Sequence, residues 1–237
     1  MQITIKDKKI TYTLQRKNRK TISIKITNKG EVVISAPLHI SDEKINEVIE
    51  KKSNWILLKL EEFSLREPLK ENTFLDERKL KFLGEKYNLS LFDTFNSNIE
   101  IIFDSKNFKI YVPKSIKENK EDYIKAALVS WYRNRAEKIF TEKVKSYAEK
   151  LKVYPKRIVI KDQKTKWGSC SSKGNINFNF RVIMAPENIV DYLVVHELCH
   201  LVHMNHSSNF WNLVKSILPN YKEAEEWLKI NGINLNI

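Results

Sequence analysis

Over residues 2–36 apolar positions recur at every second residue, in "ITIKDKKITYTLQ", "TISIKITNKG" and "EVVISAP". That period fits strands with one buried face, and Asn28-Lys29-Gly30 supplies a hairpin turn between two of them. From Ser41 the period lengthens. Ile45, Val48, Ile49, Ile56 and Leu60 fall on one stripe of a helix that is expected to run through Trp55 to Leu60. Ser41 suits the N-cap, and Asp42 and Glu43 put negative charge where the first turn's unpaired N–H groups favour it. "REPLKENTFLDE" keeps neither period and reads as a connection. Alternation returns in "LKFLGEKYNLSLF" and "IEIIFDSKNFKIYVP", with turns at Gly84-Glu85 and Ser105-Lys106-Asn107.

After Pro113 the helical period takes over. A long helix is expected over 119–150, with Leu128, Trp131, Tyr132 and Ile139 near one face. "KRIVIKD" is a short strand and "KTKWGSCSSKG" a turn-rich link. In "NINFNFRV", Ile176, Phe178, Phe180 and Val182 face one way, while Asn175, Asn177, Asn179 and Arg181 face the other. "APENIVDYLVVHELCHLVHM" is a helix with Pro186 near its first turn, where a missing N–H costs nothing. Helices over 208–217 and 220–230 follow. No internal repeat is evident. The pattern predicts an α+β chain, with a β-rich N-terminal region carrying one helix over 1–115 and a second domain over 116–237.

Composition narrows the class. The chain has 237 residues, 42% hydrophobic and 30% charged, enough apolar material for a sizeable core. No apolar run reaches membrane-spanning length, and the charged start "MQITIKDKKI" is unlike a secretory signal. With only Cys170 and Cys199, no CxxC pair arises, so a reducing, cytoplasmic location without a structural disulfide is expected. The net charge of +13 admits nucleic acid as a partner, but the lysines are spread along the whole chain and form no block.

One window breaks the pattern. Of five histidines, four fall in "HELCHLVHMNH". On a helix His196 and His200 lie about 40° apart and about 6 Å along the axis, so both leave one face. Two imidazoles on one face can share a metal, and Glu197 sits beside them as a general base: the H-E-x-x-H arrangement. The rest of that helix is apolar, and burying two histidines and a glutamate there is costly without compensation. A catalytic zinc needs a third protein ligand. On a continued helix His206 would point about 80° off the ligand face and lie about 15 Å along. It converges only if the helix breaks at Met204-Asn205, with Asn205 left-handed and Ser207 or Ser208 capping the next helix. His203 shares the ligand face and competes, although its more ordinary role is to cap the last carbonyls of its own helix. A carboxylate from Glu223, Glu225 or Glu226 ranks third.

With these residues in place, the chain resembles the YgjP-like metallopeptidase family, also described as SprT-like zincins. The resemblance rests on "RKNRKTISIKI" with "VVISAP", on "FLGEKYNL", and most specifically on "KTKWGSCSSKGNINFNFRVIMAP", "DYLVVHELCHLVHMNHSSNFW" and "LPNYKEAEEWL". It implies His196, His200 and His206 as zinc ligands, Glu197 as catalytic acid/base, and a zincin-like catalytic core in residues 116–237. It also implies an edge strand beside the cleft that receives extended substrate. That strand would be 175–181, with Asn177 and Asn179 turned to the substrate, though a solvent-facing polar edge explains the asparagines equally well. The leading expectation is zinc-dependent hydrolysis of peptide bonds in a peptide or protein. One alternative is hydrolysis of a nucleotide phosphoanhydride clamped by Lys164, Lys166 and Arg181. Another is a protease working beside nucleic acid. The Lys166-Trp167-Gly168-Ser169-Cys170 segment has no assigned chemistry.

Overall fold

The computed structural model describes residues 1–5, 8–27, 30–64, 74–163 and 165–237, so the turn expected at Asn28-Lys29 and most of "REPLKENTFLDE" lie outside it. The chain forms two compact units, Met1–Pro68 and Leu69–Ile237.

In the first unit, β1 (Gln2–Ile5), β2 (Lys8–Lys17), β3 (Ser23–Ile26) and β4 (Val32–Pro37) form one sheet in the order β1-β2-β4-β3. The central pair is parallel and both outer pairs are antiparallel. Ser41 caps α1 (Asp42–Lys51), its hydroxyl accepting from the Lys44 N–H at 3.4 Å. The single helix expected here is two, because Lys52 leaves helical geometry (φ −102°, ψ 7°) before α2 (Ser53–Ser64) begins. The break is small. The Lys52 N–H still bonds the Val48 and Ile49 carbonyls, and its own carbonyl accepts from Ile56 at 2.9 Å. Ile56 therefore still joins Ile45, Ile49, Val32, Ile34 and Ala36 in the unit's core.

The second unit opens with α3 (Phe74–Glu77) and a sheet of β5 (Lys79–Phe82), β6 (Glu85–Thr94), β7 (Glu100–Phe103) and β8 (Asn107–Pro113), in the order β5-β6-β8-β7. This is the first sheet repeated, register included. Ile3 opposite Ile10 corresponds to Leu80 opposite Tyr87, Leu14 opposite Ile34 to Leu91 opposite Ile110, and Ile26 opposite Val32 to Phe103 opposite Phe108. Each copy closes on a proline, Pro37 or Pro113, and then enters a helix. The chain thus contains a structural repeat that is hard to see in its sequence, because most matched positions, Leu14/Leu91 and Ile34/Ile110 apart, keep apolar character without identity.

The helix after the second copy is α4 (Lys120–Leu151). Ile124, Leu128, Tyr132, Ala136, Phe140, Val144 and Ala148 are spaced four apart and all buried. A four-residue step advances about 40° on a helix, so the stripe winds around α4 and serves two neighbours. Near its start Tyr132 donates to the Lys81 carbonyl at 2.6 Å, and Trp131 packs edge-on against Phe82 and Phe108. Further on, Phe140 stacks on Phe178 at 4.3 Å, and Lys143 bridges Glu187 and Asp191 at 2.7 and 2.8 Å. Sheet and helix share one core. The boundary expected between 115 and 116 therefore falls inside a compact unit.

A second, three-stranded sheet comprises β9 (Arg157–Lys161), β10 (Gly168–Cys170) and β11 (Asn175–Asn179) in the order β10-β11-β9. β11 is therefore central, not the expected edge strand, and ends at Asn179, where the chain winds into a 3-10 turn, Phe180–Met184. That turn is held by the β5–β6 hairpin: the Leu83 N–H bonds the Ile183 carbonyl at 2.8 Å. Gly84 has φ +89°, and a Cβ there would meet the Pro186 Cα at 2.8 Å, so only glycine seats the hairpin against the entry to the next helix. Helices α5 (Glu187–Cys199), α6 (Ser208–Ile217) and α7 (Tyr221–Asn231) complete the unit. Among the described residues no helix is long and apolar enough to cross a membrane.

Candidate active site

The buried helix α5 carries His196 and Glu197 in its last turn, and His200 is its C-cap. The helix stops earlier than Met204-Asn205. After Cys199 the bonds shorten to three-residue steps, Leu201 N–H to Leu198 and Val202 N–H to Cys199, at 3.0 and 3.1 Å. Asn205 is not left-handed; the reversal is made by this tight turn, which swings the His203 carbonyl back to 3.0 Å from His200 Nδ1. The chain then returns His206 to the helix. Its Nε2 stands 3.1 Å from His196 Nε2, and ligand atoms of His196, His200 and His206 all lie within 4.8 Å of one another. Ser207 caps α6, accepting from the Phe210 N–H at 3.4 Å. That helix walls the cluster with Phe210, 4.5 Å from the His200 ring, and with Trp211, stacked on His206 at 5.5 Å. The His203 side chain stands outside the cluster, as do Glu223, Glu225 and Glu226.

The donor set fits a divalent metal. In both helix-borne histidines Nδ1 has an outer partner, the Tyr192 hydroxyl at 3.4 Å for His196 and the His203 carbonyl for His200. Such partners fix the ring and leave Nε2 for the ion. Burial, reinforced by His200 and His206, pulls the His196 pKa down to about 3, so the ring is neutral, as a ligand must be. Burial lowers His200 as well. Beside them Glu197 is 4% exposed and its Oε2 has no hydrogen-bond partner. Burial pushes its pKa up to about 8, against the pull of Lys166. A carboxylate so placed is costly unless a cation lies nearby, and the convergent ligand atoms of His196, His200 and His206 are where one would be held.

The segment that sequence left without chemistry builds the other wall. β10 is the edge strand beside α5. A Cβ on Gly168 would collide with the Glu197 carboxylate, reaching 2.9 Å from its Cδ, so the missing side chain is what gives Glu197 its place. Trp167 packs against Gly232, where a Cβ would meet the ring at 2.7 Å, and its carbonyl accepts from the Asn179 N–H at 2.7 Å. A glycine beside a tryptophan hinted at a tight contact, but the partner Glu197 is almost thirty residues away and no local pattern names it.

The two asparagines expected at the substrate are placed otherwise. Asn179 is fully buried, its amide donating to the Gln163 and Lys166 carbonyls and its Oδ1 accepting from the Arg181 N–H, so it ties those residues to the end of β11. Asn177 is half-buried and donates to Ser169 Oγ at 3.0 Å, tying β10 to β11. Of the expected phosphate clamp, Lys164 lies outside the described residues, and Arg181 is taken up by Asp162 and by the Phe180 ring, 4.6 Å away.

No curated protein matches the chain. Among solved structures, the metallopeptidase zymogen of Pyrococcus abyssi abylysin is 27% identical over 38% of this chain and 90% of its own, with a TM-score of 0.35. The metallopeptidase zymogen of Methanocaldococcus jannaschii jannalysin is 26% identical over 38% and 92%, with a TM-score of 0.34. The sequence model described as YgjP-like, metallopeptidase domain, matches residues 20–231, nearly the whole chain, and the protein accordingly belongs to the YgjP-like family of metallopeptidase-type hydrolases.

Proposed function

We propose that the protein hydrolyses peptide bonds with a zinc ion held by His196, His200 and His206 and with Glu197 as general acid/base. The observation that carries this is a buried carboxylate with an unpartnered oxygen beside three convergent imidazoles. When bound, zinc would supply a Lewis acid that polarises the scissile carbonyl and acidifies a water molecule. Glu197 then does the proton work. Its free Oε2 takes a proton from the attacking water as the new C–O bond forms, and returns it to the amide nitrogen as the C–N bond breaks. Gly168, lacking a side chain, leaves that carboxylate the space it occupies. β10, as the edge strand beside Glu197, is suited to pair with the main chain of an extended substrate. The phosphoanhydride alternative loses its arginine to Asp162.

The test is metal analysis and activity on protein purified without an affinity tag. About one zinc per chain is expected, together with cleavage of an unfolded protein such as casein that chelation abolishes and zinc restores. Zinc-loaded protein that hydrolyses nucleoside triphosphates and leaves unfolded proteins intact would overturn it.

A further inference from the structure

A cavity of about 290 Å³ opens directly beside His196 and Glu197. Resting on the peptidase function proposed above, we propose that this cavity is a specificity subsite that takes one large apolar side chain, from the residue next to the scissile bond. Its volume sits at the bottom of the range for small-molecule pockets, about 300–1,000 Å³, so it suits a single side chain and is small for a nucleotide.

The walls decide the chemistry. Trp167 and Leu228 of α7 line it, together with Tyr192 and Leu193 of α5, one helical turn before His196. Tyr192, Leu193 and Leu228 are each under a tenth exposed, so the interior is apolar. Charge gathers on the more exposed lining residues. Glu225 and Lys229 face each other at 3.5 Å and offset one another. Lys166, exposed, is the remaining charged lining residue besides Glu197 itself. The half-buried His196 and the buried Glu197 in the lining are those given above to the metal and the reaction, so the rest of the buried lining offers an incoming side chain the apolar faces of Tyr192, Leu193 and Leu228. Gly168 also borders the cavity, and its lack of a side chain keeps the way open from the carboxylate to the apolar space.

The experiment is cleavage-site mapping, by mass spectrometry, of a proteome-derived peptide library digested with the zinc-loaded full chain. Leu, Met, Phe or Tyr should dominate one position flanking the cut. Their kcat/KM should exceed that of matched alanine peptides about 10- to 200-fold, the span that differences in apolar bulk provide. Leu228→Trp fills the cavity and should reverse the ratio toward alanine and glycine. If that variant does not fold, Leu228→Ala should move the preference toward tryptophan. Cuts with no preference at either flanking position, selection of a charged residue there, or an unchanged ratio in the folded variants overturn the inference alone. Failure of the zinc-loaded protein to cut any peptide overturns the peptidase function and this subsite with it.

Discussion

Glu197→Gln separates holding the metal from using it. The amide keeps the shape of the carboxylate and touches none of the three histidines' ligand atoms, but it cannot accept a proton. Turnover should fall about 10²- to 10⁴-fold while metal content, read by elemental analysis, stays at the wild-type value; a fully active mutant would remove Glu197 from the reaction. The histidines divide as sharply. His206 offers Nε2 to the cluster, whereas His203 contributes only its main-chain carbonyl to His200. His206→Ala should weaken zinc by more than the roughly 10–100-fold typical of losing an outer partner, and His203→Ala should keep most of it. Competition with a chromogenic chelator ranks the two, and the opposite order would refute the assignment. At this scale the sequence was informative where geometry is local. His196, Glu197 and His200 are fixed by one helical turn. Asn179 was misjudged because its partners, the Gln163 and Lys166 carbonyls, lie outside the strand, where alternation cannot see them.

Elements were legible by period and obscure at their joins. The long helix expected over 119–150 is observed at 120–151, since its apolar stripe is carried by α4 itself. The end of α5 was not, because three-residue bonds after Cys199 leave no composition signal, although their effect on His206 is what the break at Asn205 was invoked to achieve. Strand order was hidden for a different reason. Alternation in 175–181 says which face is apolar, not which neighbours pair, so the edge went to β11 when it belongs to β10. That correction yields a prediction for β10. In Gly168→Ala the new methyl meets Glu197, a side chain that can rotate, and not main chain. The cost should therefore fall on carboxylate placement more than on folding. The variant should melt near the wild type and bind metal normally, with kcat reduced at least tenfold. A normal kcat would show that Glu197 does not need the position that Gly168 secures.

At the scale of the whole chain, duplication and metal pull apart. The two β-sheet copies share topology and register, yet each lies in its own unit with its own hydrophobic cluster, one drawn from residues 10–56 and the other from 80–235. His196, His200, His206, Glu197 and the cavity all lie in the second. An ion that binds only a folded unit stabilises that unit by mass action, about 4 kcal/mol when free metal exceeds the dissociation constant a thousandfold. In a domain of this size each kcal/mol moves Tm by about 2–4 °C, so the gain is of the order of 10 °C. Calorimetry of the full chain with zinc and then with excess chelator should therefore shift the transition of residues 69–237 and leave that of residues 1–68 where it was. Separate cores provide the reason: Ile34 and Ile49 belong to one hydrophobic cluster, and the helix that carries His196 belongs to the other. Were the first unit's transition to move by the same amount, the two would unfold as one cooperative body, and the independence inferred from their cores would be wrong.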